Sequence, residues 1–222
     1  MRPSVACAIA VLLSLASPAA GALHATPRID NPWFPLLPGT RYVYTGVKDG
    51  KRARDVVLVT HSTRMIDGVE CVAVDDRLTL NGHLEERTTD WYTQDAHGNV
   101  WYYGEQTAEL DAHGKVTSTE GTWQAGVRGA KPGIFMPAHP RVGQSGRQEY
   151  YKGHAEDHFK VIGLFKTVSP RGPANTLLIE ETTPLEPGTV DHKVYVRGIG
   201  NVLEQTERGA NERNELVSVR RP

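Results

Sequence analysis

The chain has 222 residues, 39% of them hydrophobic and 23% charged, with 25 Lys and Arg against 26 Asp and Glu. A formal net charge of −1 argues against the basic face that nucleic acid or an anionic membrane surface would require. The length suits one domain that buries about 70% of its unfolded surface, so neither a second core nor a disulfide scaffold is needed.

Residues 1–22 read as a secretory signal peptide. Arg2 precedes an apolar run over 5–16, and Ala20-Gly21-Ala22 forms an A-x-A cleavage site. The run is about a dozen residues against the roughly twenty of a membrane-spanning helix, and no other stretch approaches that length. No integral membrane segment is therefore expected. Cys7 lies at the start of the apolar run instead of following it, so no cysteine stands where a lipid anchor would attach. The expected mature chain, 23–222, is a single β-rich domain, exported to the periplasm or beyond, soluble and not lipid-anchored. It keeps 24 bases against 26 acids, a net charge of −2. Cys71 is its only thiol, so no internal disulfide can form. Alternating with Val69 and Ala73, Cys71 reads as a buried apolar side chain and not a nucleophile.

Glycine and proline punctuate short runs rich in Val, Tyr, Thr and Trp, the texture of an antiparallel sheet. Strands are predicted over 41–46, 55–62, 69–75, 77–80, 83–94, 99–110 and 115–125, then over 147–151, 159–168, 175–182, 192–196, 201–207 and 215–220. Asn81-Gly82 predicts a type I′ hairpin turn, because both central residues of that turn need positive φ. The hexad Asp-Ala-His-Gly-x-Val occurs at 95–100 and again at 111–116. Each copy fits a type I turn closed by a left-handed glycine, so both are expected at hairpin tips. The intervening strand would span roughly 40 Å, which sends the two tips to opposite ends and argues against a shared metal site. Residues 126–146 are dense in Pro and Gly and predict a long loop with no strand, its Ile134-Phe135-Met136 packed back on the sheet as a lid or plug. Residues 153–165 fit helix or strand equally.

The most function-like stretch is 90–105, where Trp91, Tyr92, Trp101, Tyr102 and Tyr103 share one hairpin with Asp90 and Glu105. Five aromatics there are simple core packing, or else one face lines a cavity whose acids orient a ligand. His154 and His158, at i and i+4, form a conceivable metal pair, but Ala155 stands where the zinc-protease helix has Glu, and no third ligand is identified. Gly143-Gln144-Ser145-Gly146 is one residue short of a nucleophile elbow. Gly198-Ile199-Gly200 lacks the third glycine of a dinucleotide fingerprint. Adjacent acids such as Glu156-Asp157 point to opposite faces of a strand and make no ready dyad.

Asn31-Pro32-Trp33-Phe34-Pro35-Leu36 with Pro38-Gly39-Thr40, the 90–105 block, Gln148-Glu149-Tyr150-Tyr151 with Ala155-Glu156-Asp157, and Leu185-Glu186-Pro187-Gly188 resemble a group of uncharacterised secreted bacterial proteins along nearly the whole mature chain. Tyr195-Val196-Arg197-Gly198-Ile199-Gly200-Asn201-Val202 is similar to the closing hairpin of exported β-meander proteins and envelope lipoproteins. The resemblance implies a location and an architecture but no reaction.

The expected fold is all-β, an antiparallel meander curled into an open or nearly closed barrel or half-barrel, because a sheet of ten or more strands seldom stays flat. The first functional expectation is a small apolar or amphipathic ligand on the concave face, with Trp91, Trp101, Tyr103, Phe135 and Met136 as walls and Asp90 and Glu105 as polar contacts. No cofactor and no metal enter this reading. A second expectation is a hydrolase or isomerase using residues 149–158, with Glu156, Asp157, His154 or His158 beside Tyr150. A third is an envelope scaffold that pairs a protein partner along an exposed sheet edge.

Overall fold

The computed structural model describes residues 28–169 and 172–222; the expected signal peptide, 1–22, lies outside them. Among the described residues every regular element is a strand, and all join one antiparallel sheet. Strands β1 (Arg41–Lys48), β2 (Lys51–Ile66), β3 (Val69–Leu80), β4 (His83–Gln94) and β5 (Val100–Leu110) form an up-and-down meander. Short strands β6 (Val116–Ser118), β7 (Trp123–Gln124), β8 (Lys131–Met136), β9 (Ser145–Arg147) and β10 (Glu149–Tyr150) follow. Then β11 (His158–Ser169), β12 (Gly172–Thr182), β13 (Val190–Val196), β14 (Gly200–Arg208) and β15 (Glu212–Arg220) form a second meander. β1 pairs with β15 from end to end and joins the two.

Local chemistry fixes the register. Asn81 and Gly82 both have positive φ (51° and 90°), as the type I′ turn requires, and Asp49-Gly50 and Asp67-Gly68 do the same for the two preceding hairpins. Both hexads close as expected. Gly98 N–H donates to the Asp95 carbonyl and Gly114 N–H to that of Asp111, each at 2.9 Å, and each Asp Oδ1 accepts two further backbone N–H groups.

The sheet curls into a nearly closed barrel with one seam. The free edge of β5 is shared by β6, β7 and β8. Beyond them, β10 pairs with β8 while β9 pairs with β11. Gln148 alone separates β9 from β10, so the chain passes there from one edge of the sheet to the other. A Cβ at Gly133 would stand 2.4 Å from the Arg147 carbonyl oxygen, so this crossing requires a glycine in β8.

Three expectations need correction. Residues 126–146 are not a strandless loop, since β8 lies within them. Pro132 is tolerated because β5 pairs only as far as Gly133, leaving β10 as the sole neighbour of Pro132 and no ladder donor lost toward β5. The predicted strand 115–125 breaks into β6 and β7. Residues 153–165 contain no helix, and β11 starts at His158. The end of the barrel is plugged by the N-terminal turn 29–36, not by Ile134-Phe135-Met136 alone. Buried Asn31 pins this turn by donating to the carbonyls of Gly98 (2.8 Å) and Pro137 (3.2 Å) and accepting from Trp33 N–H at 2.8 Å.

β3 is buried on both faces. Val72 and Val74 alternate with Cys71 and Ala73, and all four belong to one apolar cluster. Cys71 is fully buried, as expected, and burial pushes its thiol up to about 12.

A candidate ligand cavity in the barrel

Strand alternation turns one face of nearly every strand inward. Tyr42 and Tyr44 of β1, Asp55 and Val57 of β2, Val74 and Asp76 of β3, and Glu86, Thr88, Asp90 and Tyr92 of β4 all face one cavity. Lys193 and Tyr195 of β13 close it from the other meander. Its volume is about 330 Å³.

One end is aromatic. Phe34 from the N-terminal turn meets Phe135 at 4.7 Å and Tyr92 at 5.4 Å between ring centroids, and Tyr92 stacks on Tyr102 at 4.7 Å. Such pairs contribute about 1 kcal/mol each beyond the area they bury. Tyr42 O–H donates to the Pro35 carbonyl at 2.7 Å and holds the turn in place.

The walls are acidic. Asp55, Asp76, Glu86, Asp90, Glu105, Glu149, Asp157, Glu181 and Glu204 line the cavity, with Lys193 as its one basic residue. Lys193 is already engaged, its Nζ lying 2.7 Å from Glu181 and 3.5 Å from Glu204. The second Glu181 oxygen accepts from Gln148 Nε2 at 2.8 Å. The remaining acids have little to stabilise a negative charge. Burial, reinforced by the charges of Asp90 and Glu149, pushes Glu105 up to about 9. Burial and the charge of Asp157 push Glu149 up to about 8, opposed by the nearby Trp123 indole. Asp90 is raised to about 7 by burial, against the 2.6 Å hydrogen bond it accepts from Tyr102 O–H. Burial and the neighbouring Asp55 carboxyl hold Asp76 well above the usual carboxylate range.

Of the site residues expected from sequence, Asp90, Glu105 and Phe135 reach this cavity, whereas Trp91, Trp101, Tyr103 and Met136 do not line it. Trp91 follows Asp90 on β4 and so faces the other way, under the Arg64 guanidinium at 4.3 Å. Trp101 belongs to the β4–β5 tip, where its Nε1 donates to Asp95 at 2.9 Å. Met136 is fully buried in the apolar cluster. Tyr103 sits in a bulge. Trp91 pairs with Gly104 but Tyr92 pairs with Tyr102, so Tyr103 is the extra residue and the alternation shifts across it. Tyr102 and Glu105, three apart, thereby face the same cavity. Gly104 has φ 141°, and a Cβ there would lie 2.4 Å from the Trp123 carbonyl oxygen. Sequence reasoning also missed Tyr92, Tyr102 and Phe34, and the acids delivered by β2, β3 and β14. The period-2 spacing of Glu86, Thr88, Asp90 and Tyr92 was the available signal.

The residues of the second expectation do not converge. His154 pairs with Glu120 at 2.7 Å in an exposed turn, and His158 bonds the Glu156 carbonyl at 2.9 Å. Glu156 takes the Gly153 N–H, Tyr150 lies under Arg147, and only Asp157 and Glu149 reach the cavity. No group of three or more His, Cys, Asp or Glu among the described residues could hold a metal ion. The sheet ends in the short strands β9 and β10, not in a long bare edge.

No family model and no curated protein matches the chain. Among solved structures it is similar to a Bacteroides fragilis protein described as exported and of YmcC-like fold, at 15% identity and TM-score 0.45, covering 85% of this chain and 99% of that one. A Parabacteroides distasonis protein described as a lipoprotein matches at 11% identity and TM-score 0.42, over 86% of this chain and 99% of its own. No helix among the described residues is long and apolar enough to cross a membrane.

Proposed function

We propose that this is an exported binding protein whose barrel interior holds one small amphipathic ligand. The observation that carries the reading is the cavity itself, about 330 Å³, aromatic at one end and hydrogen-bonding along its walls. That size and mixture match the general character of small-molecule sites, in which apolar walls provide contact area and a few polar groups fix orientation. Asp90, Glu105 and Phe135 are proposed as contacts, together with Tyr92, Tyr102 and Glu149. Export rests on the signal-peptide pattern of residues 1–22.

Native mass spectrometry of the protein purified from cells that make it, with a denatured extract alongside, tests the reading. A co-purifying small molecule is expected, and it should be lost in Val74→Phe, which adds bulk to the cavity wall while keeping an apolar side chain. A bare protein mass, together with no melting shift for any small amphipath offered, contradicts it.

A further inference from the structure

The cavity is unbalanced in a specific way. Three of the atoms lining it are buried and close no hydrogen bond among the described residues: Asp55 Oδ1, Glu149 Oε2 and Asn214 Oδ1. Asn214 Oδ1 can only accept and the two carboxyl oxygens accept when ionised; the Trp123 indole N–H, beside Glu149, also closes no hydrogen bond among the described residues. Glu149 and Asn214 are only 6% and 7% exposed, and a buried orphan acceptor costs about 1–3 kcal/mol. The Asn214 amide nitrogen is already committed to Glu212 at 2.9 Å, which leaves its carbonyl oxygen to a donor from elsewhere. The sole lysine is held by Glu181 and Glu204 and does not answer them. At the aromatic end, Phe34, Tyr92, Tyr102 and Phe135 line the cavity, and aromatic rings attract cations and apolar groups alike.

A ligand complementary to this interior carries hydrogen-bond donors and positive charge at one point and apolar surface at another. Resting on the binding reading above, we propose that the ligand is a small organic cation, a primary ammonium on an apolar body, whose N–H groups reach the Glu149 carboxyl while its body lies against the aromatic cluster. A bare metal ion is a poorer match, since the acids are spread around the wall and no metal-binding group forms among the described residues. Burial keeps protons on Glu105 and Glu149, and an ammonium replaces those protons as the counter-charge.

Three probes of nearly equal shape decide the matter by calorimetry at neutral pH: hexylammonium, hexanol and hexanoate. Hexylammonium is expected to bind at least about tenfold tighter than hexanol, with hexanoate weakest. Glu149→Gln, nearly isosteric, should remove most of that preference, weakening hexylammonium far more than it weakens hexanol. Hexanol or hexanoate binding as tightly as hexylammonium would overturn the cation assignment and leave the binding reading standing. So would a neutral or anionic molecule found on the native protein. An ammonium preference that survives in both Glu149→Gln and Glu105→Gln would also overturn it. If none of the probes binds and the native mass is bare, the binding reading itself fails, and the cation with it.

Discussion

Tyr102 and Asp90 show how one hydrogen bond sets the chemistry of a buried acid. Burial raises Asp90 to about 7, and the Tyr102 hydroxyl acts against that rise. Tyr102→Phe removes the donor without changing the ring, so Asp90 should titrate above 7 in the variant, as read by carboxyl carbon shifts. An unchanged midpoint would mean that the 2.6 Å contact does not govern this carboxyl. Glu105 and Glu149 extend the argument to stability. Facing Asp90, Glu86 and Asp157, they keep protons in the fold to about 9 and about 8, whereas the unfolded chain releases its Glu protons near pH 4 to 5. Their contribution is full below that lower range and is lost as pH rises, completely so above about 9. The melting temperature should therefore fall between pH 5 and pH 9, and Glu105→Gln with Glu149→Gln should flatten the fall. Calorimetry across that range checks it; an equal slope in the double variant would contradict the assignment.

The two copies of the hexad separate an element's local turn chemistry from its tertiary load. Both Asp side chains accept two backbone N–H groups of their own turn, but Asp95 is buried and also accepts from Asn99 Nδ2 and Trp101 Nε1, each at 2.9 Å. Burial works against its ionisation, yet these donors outweigh it and hold Asp95 below the usual range. Asp95→Ala should cost about 2 kcal/mol and Asp111→Ala under about 1 kcal/mol in urea unfolding. Equal costs would mean that Trp101 and Asn99 add nothing. The bulge on β5 carries a sharper expectation. Gly104→Ala meets both a positive φ and the Trp123 backbone, so it should lower stability by at least about 2 kcal/mol. That is about 4 °C or more in melting temperature for a domain of this size.

At the scale of the whole molecule, closure depends on a short crossing. β9 and β10 join the two meanders through Gln148, whose amide binds Glu181 across the seam, and Gly133 lets the crossing lie flat on β8. Gly133→Ala should speed amide exchange in 131–136 and 145–150 while β1 and β2, far round the sheet, keep their protection. Exchange unchanged at the seam would show that it opens independently of this contact.

The hairpins, the hexad tips and the all-β class were legible because each is a short-range matter. Asn81-Gly82 tolerates positive φ wherever it stands, and the alternation over 83–94 carries its own period. The sequence alone also determined that Cys71 would be buried, through apolar alternation with its neighbours. The site was legible only in part. Asp90 and Glu105 were found because they flank an aromatic hairpin, but which aromatics join them depended on the Tyr103–Gly104 bulge, a pairing between strands that no single segment announces. β8 was hidden by Pro132, whose tolerance depends on where the ladder of β5 ends. The acidity of the interior was least visible of all. Asp55, Asp76, Glu149, Glu181 and Glu204 are unremarkable surface residues when read along the chain, and curling of the sheet alone turns them onto one cavity, where burial rather than composition decides their charge.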